Sequence, residues 1–119
     1  MKKRIITFCL SFGFYGYGYS QTVNDIPIED IESEWVQIIG ETRTFSNKMT
    51  IHLDYGQQNR NFTGRDQLIL DRYGRVMDFN SMMDALNFMI PYGFEFVQAL
   101  NRNCDKSTEF VYILRRKPQ

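Results

Sequence analysis

Ser81-Met82-Met83-Asp84-Ala85-Leu86-Asn87-Phe88-Met89-Ile90-Pro91-Tyr92-Gly93 is the one stretch of this chain with a sustained helical repeat and legible ends. Met82, Leu86, Met89 and Ile90 recur at spacings of three and four, which places them on one face of a helix. Ser81 is an N-cap, and Asp84, three residues on, completes a short capping box. Pro91 disfavours helical geometry at Ile90, and Gly93 is free to take the left-handed closing conformation, so a helix of about three turns is expected. Its apolar face needs a sheet to cover, and the rest of the chain with regular character reads as strand.

Upstream of the helix, Glu34–Arg43 and Lys48–Tyr55 are rich in β-branched and aromatic residues and flank Phe45-Ser46-Asn47, a turn of hairpin length. In the second of them Met49, Ile51, Leu53 and Tyr55 alternate with Thr50, His52 and Asp54, giving one core face and one polar face. A second hairpin is expected from Gln67–Asp71 and Val76–Phe79 around Arg72-Tyr73-Gly74-Arg75, with the glycine at the left-handed position. Downstream, Phe94–Arg102 and Thr108–Arg116 make a third hairpin. Strict alternation puts Phe94, Phe96, Gln98 and Leu100 on one of its faces and Val97 and Ala99 on the other. In its partner strand Phe110, Tyr112 and Leu114 oppose Val111 and Ile113. The fold class expected is therefore α+β: an antiparallel sheet of about six strands in three hairpins with one helix packed on one face.

The first twenty residues stand outside this fold. Lys2, Lys3 and Arg4 precede an apolar run from Ile5 to Tyr15, and Gly18-Tyr19-Ser20 supplies small residues at the minus-three and minus-one positions. That is the pattern of a secretory signal peptide cleaved after Ser20, which implies a periplasmic or secreted protein. The run is shorter than the roughly 20 residues a membrane span requires, and Cys9, following Phe8, lacks the small residue that precedes a lipidated cysteine. Cleavage leaves 99 of the 119 residues and removes three of the 14 basic residues and none of the 14 acidic ones, so the mature chain has a net charge of about −3. That balance does not favour nucleic acid as a partner. Cys104 is then the only cysteine, and the fold has to rest on packing without an internal disulfide. Residues 21–33, acidic around Pro27, read as a leader arm preceding a single domain over 34–117. Its carboxylates lack the ordered ligand alternation and glycine turn of a calcium loop.

From Phe79 to Met89, and again from Tyr92 to Ala99, the sequence resembles a group of small exported proteins of unknown function from Bacteroidetes-type bacteria. It is similar, more distantly, to a bacterial domain of unknown function in which a short helix is followed by a Gly-Trp-Glu-Leu-Val strand and the last strand ends in Lys-Arg. Here Gly93-Phe94-Glu95-Phe96-Val97 and Leu114-Arg115-Arg116 stand in those places, with Phe94 for the Trp and with Pro91 as a departure. The resemblance implies an antiparallel sheet with one helix, and no activity.

The residues themselves supply no catalytic set. His52 is the sole histidine and falls on a polar strand face, and Cys104 lies next to Asp105, which raises rather than lowers a thiol pKa. One His and one mature Cys do not make a zinc site, so no metal, cofactor or catalytic residue is assigned. A non-enzymatic binding or assembly module is the function expected, with a small ligand or an envelope protein as partner. Trp35 and Tyr55, near strand ends, are the candidate exposed platform, and Arg60 and Arg65 in the Gly56–Asp66 loop complete the candidate binding surface. The alternative is an enzyme or enzyme subunit using that loop, with Arg60, Arg65 and Asp66, on an anionic substrate. Because one helix covers one sheet face, Val97, Ala99, Val111 and Ile113 are expected to meet a second subunit in a homodimer, the other occupant being the Ile26, Ile28 and Ile31 arm.

Overall fold

This computed structural model describes residues 21–43, 45–58, 65–104 and 107–118. The expected signal peptide, Arg60 and Asp105 lie outside the described residues. Among the described residues the architecture is α+β and antiparallel throughout: five strands form the main sheet, three short strands a second small one, and a single α-helix lies across the larger.

The strands are β1 (Thr22–Val23), β2 (Ile26–Pro27), β3 (Trp35–Thr42), β4 (Met49–Asp54), β5 (Ile69–Leu70), β6 (Asp78–Phe79), β7 (Phe94–Cys104) and β8 (Ser107–Arg116). Main-sheet order is β6-β4-β3-β8-β7, and the small sheet is β2-β1-β5. The first and third expected hairpins are present as β3–β4 and β7–β8. The second is a short hairpin, its arms paired at the Leu70–Val76 bridge and by Met77 N–H donating to the Ile69 carbonyl at 2.9 Å, beyond which they part. Asp71 accepts from the backbone N–H groups of Tyr73 and Arg75, and Gly74 takes φ 77°, so the turn closes as its residues dictate. Beyond it β5 joins β1 while β6 pairs with β4 at Met49 and Thr50. Two-residue strands carry too little pattern to show which sheet they enter.

The helix α1 (Met82–Met89) starts where its cap requires: Ser81 Oγ accepts from Asp84 N–H at 3.1 Å, and Asp84 Oδ2 accepts from Asn80 N–H at 2.9 Å. Pro91 converts the last expected turn into a 3₁₀ turn, Ile90–Tyr92, closed by Gly93 at φ 93°. The tighter winding carries Ile90 off the buried face, leaving it 41% exposed, and Ala85 joins Met82, Leu86 and Met89 against the sheet instead. Opposite them lie Val36, Ile38, Met49, Ile51, Leu53, Phe94 and Leu114 in one continuous core. Gly40 is the point of closest approach. A Cβ built there would sit 2.3 Å from Met82 Sδ and 2.8 Å from Met49 Cε, so any other residue would make these side chains shift for the first helical turn to stay down on β3.

The segment read as a leader arm is woven into the domain. β1 pairs with both β2 and β5, Val23, Ile28 and Ile31 are buried in the same core as the helix, and Tyr92 donates to Gln21 Oε1 at 2.9 Å. Arg116, stacked over Phe94 at 4.6 Å, donates to the Ile31 carbonyl. The arm thus joins the core on the helix side, and Ile26 is its one exposed isoleucine.

Register decides what the other face of the sheet presents. Directly opposed residues of antiparallel strands share a face, so the face away from the helix carries three cross-strand rows. These are Trp35–Arg115–Glu95, Asp54–Gln37–Ile113–Gln98 and His52–Ile39–Val111–Leu100. A β-bulge between Phe96 and Gln98 inserts Val97 and reverses the alternation after it. Gln98 and Leu100 therefore share the face away from the helix with Val111 and Ile113, and Ala99, opposite Tyr112, lies on the helix side; Val111, expected to be exposed there, is buried beside Ile39. The proposed grouping of Ala99 with Val111 and Ile113 is corrected by that one inserted residue. Among the described residues no helix is long and apolar enough to cross a membrane.

Candidate functional site

The open face has a pocket of about 270 Å³ at the end where β3 begins and β4 and β8 end, lined by Trp35, Val36, Gln37, Asp54, Tyr55, Gly56 and Ile113. Four of the lining positions follow from the strand pattern. Trp35 and Gln37 are two apart on β3 and so point the same way, Ile113 is opposite Gln37 on β8, and Asp54 is opposite it on β4. Ile113 is the apolar floor, Trp35 one wall, and the Gln37–Asp54 pair the other.

Trp35 is 50% exposed, which for the only tryptophan of the chain leaves half a large apolar surface in water. Beside it in the same cross-strand row, the Arg115 guanidinium lies over its ring at 5.6 Å and forms an ion pair with Glu95 at 2.9 Å. On the opposite wall Gln37 Nε2 donates to Asp54 Oδ2 and Gly56 N–H donates to Asp54 Oδ1, each at 2.9 Å. A carboxylate has about four acceptor positions, so both oxygens keep one free for a ligand donor, and the Gln37 carbonyl oxygen is a further acceptor.

The rim beside Gly56 is rigid for identifiable reasons. Ser33 Oγ donates to the Tyr55 carbonyl at 2.7 Å, and Tyr55 N–H donates to Gln57 Oε1 at 2.9 Å. Gln57 Nε2 in turn donates to the carbonyls of Leu53 and Asp66, tying the base of the Gly56–Asp66 loop to the end of β4. Gly56 takes φ 92°, a left-handed conformation that costs other residues energy.

Of the two aromatic residues singled out as a platform, Trp35 is the exposed one. Tyr55 borders the pocket, but its ring packs against the core and its hydroxyl is buried without a hydrogen-bond partner among the described residues. Arg65 begins a 3₁₀ turn, Arg65–Gln67, and Arg60 lies outside the described residues. His52 is on the open face as its alternation required, its side chain 16% exposed and Nε2 3.9 Å from Glu41 Oε2. Among the described residues no group of three or more His, Cys, Asp or Glu side chains is placed to hold a metal ion. Gln37 and Asp54 are the site residues missed in the sequence. Alternation from Trp35 marks Gln37, whereas Asp54 needs the β3–β4 register.

Comparison of the chain with protein-family models, with curated proteins and with solved structures finds no match in any of the three.

Proposed function

We propose that the chain acts after export as a non-enzymatic binding module, and that it takes a single hydroxyl-bearing ring, the chemistry of a sugar residue, at the Trp35 pocket. The observation that carries this reading is the half-exposed indole standing over an isoleucine floor with an amide–carboxylate pair facing it. An indole face matches the apolar C–H side of a pyranose, and the free acceptors of Asp54 and Gln37 match hydroxyls at the ring edge. A pocket of about 270 Å³ lies at or below the small end of ligand sites, so it suits one ring of a small ligand or of an envelope component.

Titration of the mature chain with a panel of neutral, acidic and N-acetylated mono- and disaccharides, followed by Trp35 emission, tests the proposal. A saturable shift with at least one class, lost in Ile113→Asp, is expected. No saturable change across the panel overturns it, as does turnover of generic hydrolase substrates that disappears in His52→Ala.

A further inference from the structure

The two edges of the main sheet are very different. At one, β6 is two residues long and Leu68 bridges to His52, so the outer side of β4 is capped piecemeal. At the other, β7 runs for eleven residues, Phe94–Cys104, with no neighbour beyond it among the described residues. It contains no Lys and no Pro, the residues that most often blunt an edge, and Phe96 and Val97 are 46% and 44% exposed on it. An edge of that length offers a row of unpaired backbone donors and acceptors to another strand.

We infer that the occupant of this edge is β7 of a second copy, paired antiparallel about a two-fold axis through Ala99. The bulge limits the register to those that match faces, and of these the one centred on Ala99 also brings Glu95 opposite Arg102. With Val97 left out as the inserted residue, Ala99 meets Ala99 of the second copy. Gln98 then meets Leu100 of the second copy, Phe96 meets its Asn101, and Glu95 meets its Arg102. Every pair in this register joins residues of the same face: Glu95, Gln98, Leu100 and Arg102 are on the open side, Phe96, Ala99 and Asn101 on the helix side. A register without the bulge would pair opposite faces, which a pleated sheet does not allow.

The charges select this register among the face-matched ones. Within one copy Glu95 pairs with Arg115 at 2.9 Å and Arg102 with Glu109 at 2.8 Å, both on the open face. Bringing Glu95 opposite Arg102 of the second copy joins these into an alternating row, Arg115, Glu95, then Arg102 and Glu109 of the second copy. The row occurs twice by symmetry, with no like charges adjacent. At the axis sit two alanines, which allow close approach. The product is one continuous ten-stranded sheet with both helices on one side and both Trp35 pockets on the other. Strand spacings of about 4.8 Å and rises of about 3.3 Å per residue set those pockets on the order of 30 Å apart, a geometry suited to bivalent attachment. The pairing does not depend on what the pocket binds. It also moves the expected self-association from the sheet face to the sheet edge.

Sedimentation of the mature chain at micromolar concentration, with Ala99→Lys and Val111→Glu variants beside it, tests this inference. The parent is expected as a dimer. Ala99→Lys places two ammonium groups across the axis and should weaken dimerisation by about tenfold or more with circular dichroism unchanged, since Ala99 is already exposed. In a Cys104→Ser background, Ala99→Cys should form an intermolecular disulfide under mild oxidation, because directly opposed strand residues lie within disulfide reach, whereas Asn87→Cys on the outer face of the helix should not. A monomeric parent, a dimer that survives Ala99→Lys, or a dimer lost in a folded Val111→Glu would overturn it. Sugar-induced Trp35 emission retained in the monomeric variant would separate this result from the fate of the binding proposal.

Discussion

Replacing Gly40 by alanine adds one methyl group, and the structure says where it goes. The new Cβ would lie 2.3 Å from Met82 Sδ, 2.8 Å from Met49 Cε and 3.3 Å from Ile51 Cδ1. The first contact is far inside van der Waals distance and involves the residue that seats the first turn of α1. Met49 can swing its terminal methyl aside, but Met82 is pinned between the capped helix start and the sheet, so part of the strain reaches the backbone. Overpacking of this kind costs about 1–3 kcal/mol, and alanine in a strand returns about 0.5–1 kcal/mol relative to glycine. A net loss of about 1–2 kcal/mol should lower Tm by roughly 5–15 °C in a domain of this size. Thermal melts followed by circular dichroism measure it, and a double-mutant cycle with Met82→Ala assigns it. Once Met82 is truncated the alanine has room, so the two costs should not add. An unchanged Tm for Gly40→Ala, or strict additivity with Met82→Ala, would refute the close helix–strand approach.

Other consequences follow from the same packing. Ile28→Ala should cost about 2–5 kcal/mol, measured by urea denaturation, because Ile28 is fully buried in the common core and not part of a detached arm. Ser81→Ala should cost about 0.5–2 kcal/mol by the same assay through loss of the cap to Asp84 N–H. Burial, and then the nearby Glu29 carboxylate, raise the Tyr92 hydroxyl above its ordinary value of 10.0. The neutral phenol is thus favoured in the folded state, and its contribution is complete below the unfolded pKa and disappears as pH rises through the folded one. Stability measured across alkaline pH should fall more steeply in the parent than in Tyr92→Phe.

Much of this architecture is written locally. Ser81 and Asp84 announce the helix start, Gly93 its end, and the alternation of Met49, Ile51 and Leu53 against Thr50, His52 and Asp54 gives β4 both its length and its buried face. What escapes a reading of the sequence is set by tertiary partners. Val97 is an ordinary strand residue with nothing to mark it as a bulge, yet its insertion reassigns every side chain from Gln98 onward. β5 and β6 are too short for periodicity to act on, and their divergence depends on β1 being there to pair with. That the Ile26, Ile28 and Ile31 arm packs back on the domain is within reach of the sequence, but that Ile28 and Ile31 enter the helix-side core follows from the pairing of β1 with β5 and from the 3₁₀ turn Ile28–Asp30, neither of which has a regular repeat. At the candidate site, Trp35 is marked by its position at a strand end, whereas the Gln37–Asp54 wall exists only through cross-strand register.

The most direct test of the binding assignment is amide and indole chemical-shift mapping by NMR on the isotope-labelled mature chain, titrated with the sugar that gives the largest Trp35 emission change. The account predicts saturable shifts centred on the Trp35 indole N–H and the amides of Gln37, Tyr55, Gly56 and Ile113, with the helix amides of Met82–Met89 unmoved. Shifts confined to the helix side, or centred on residues 59–66 with Trp35 unchanged, would contradict it.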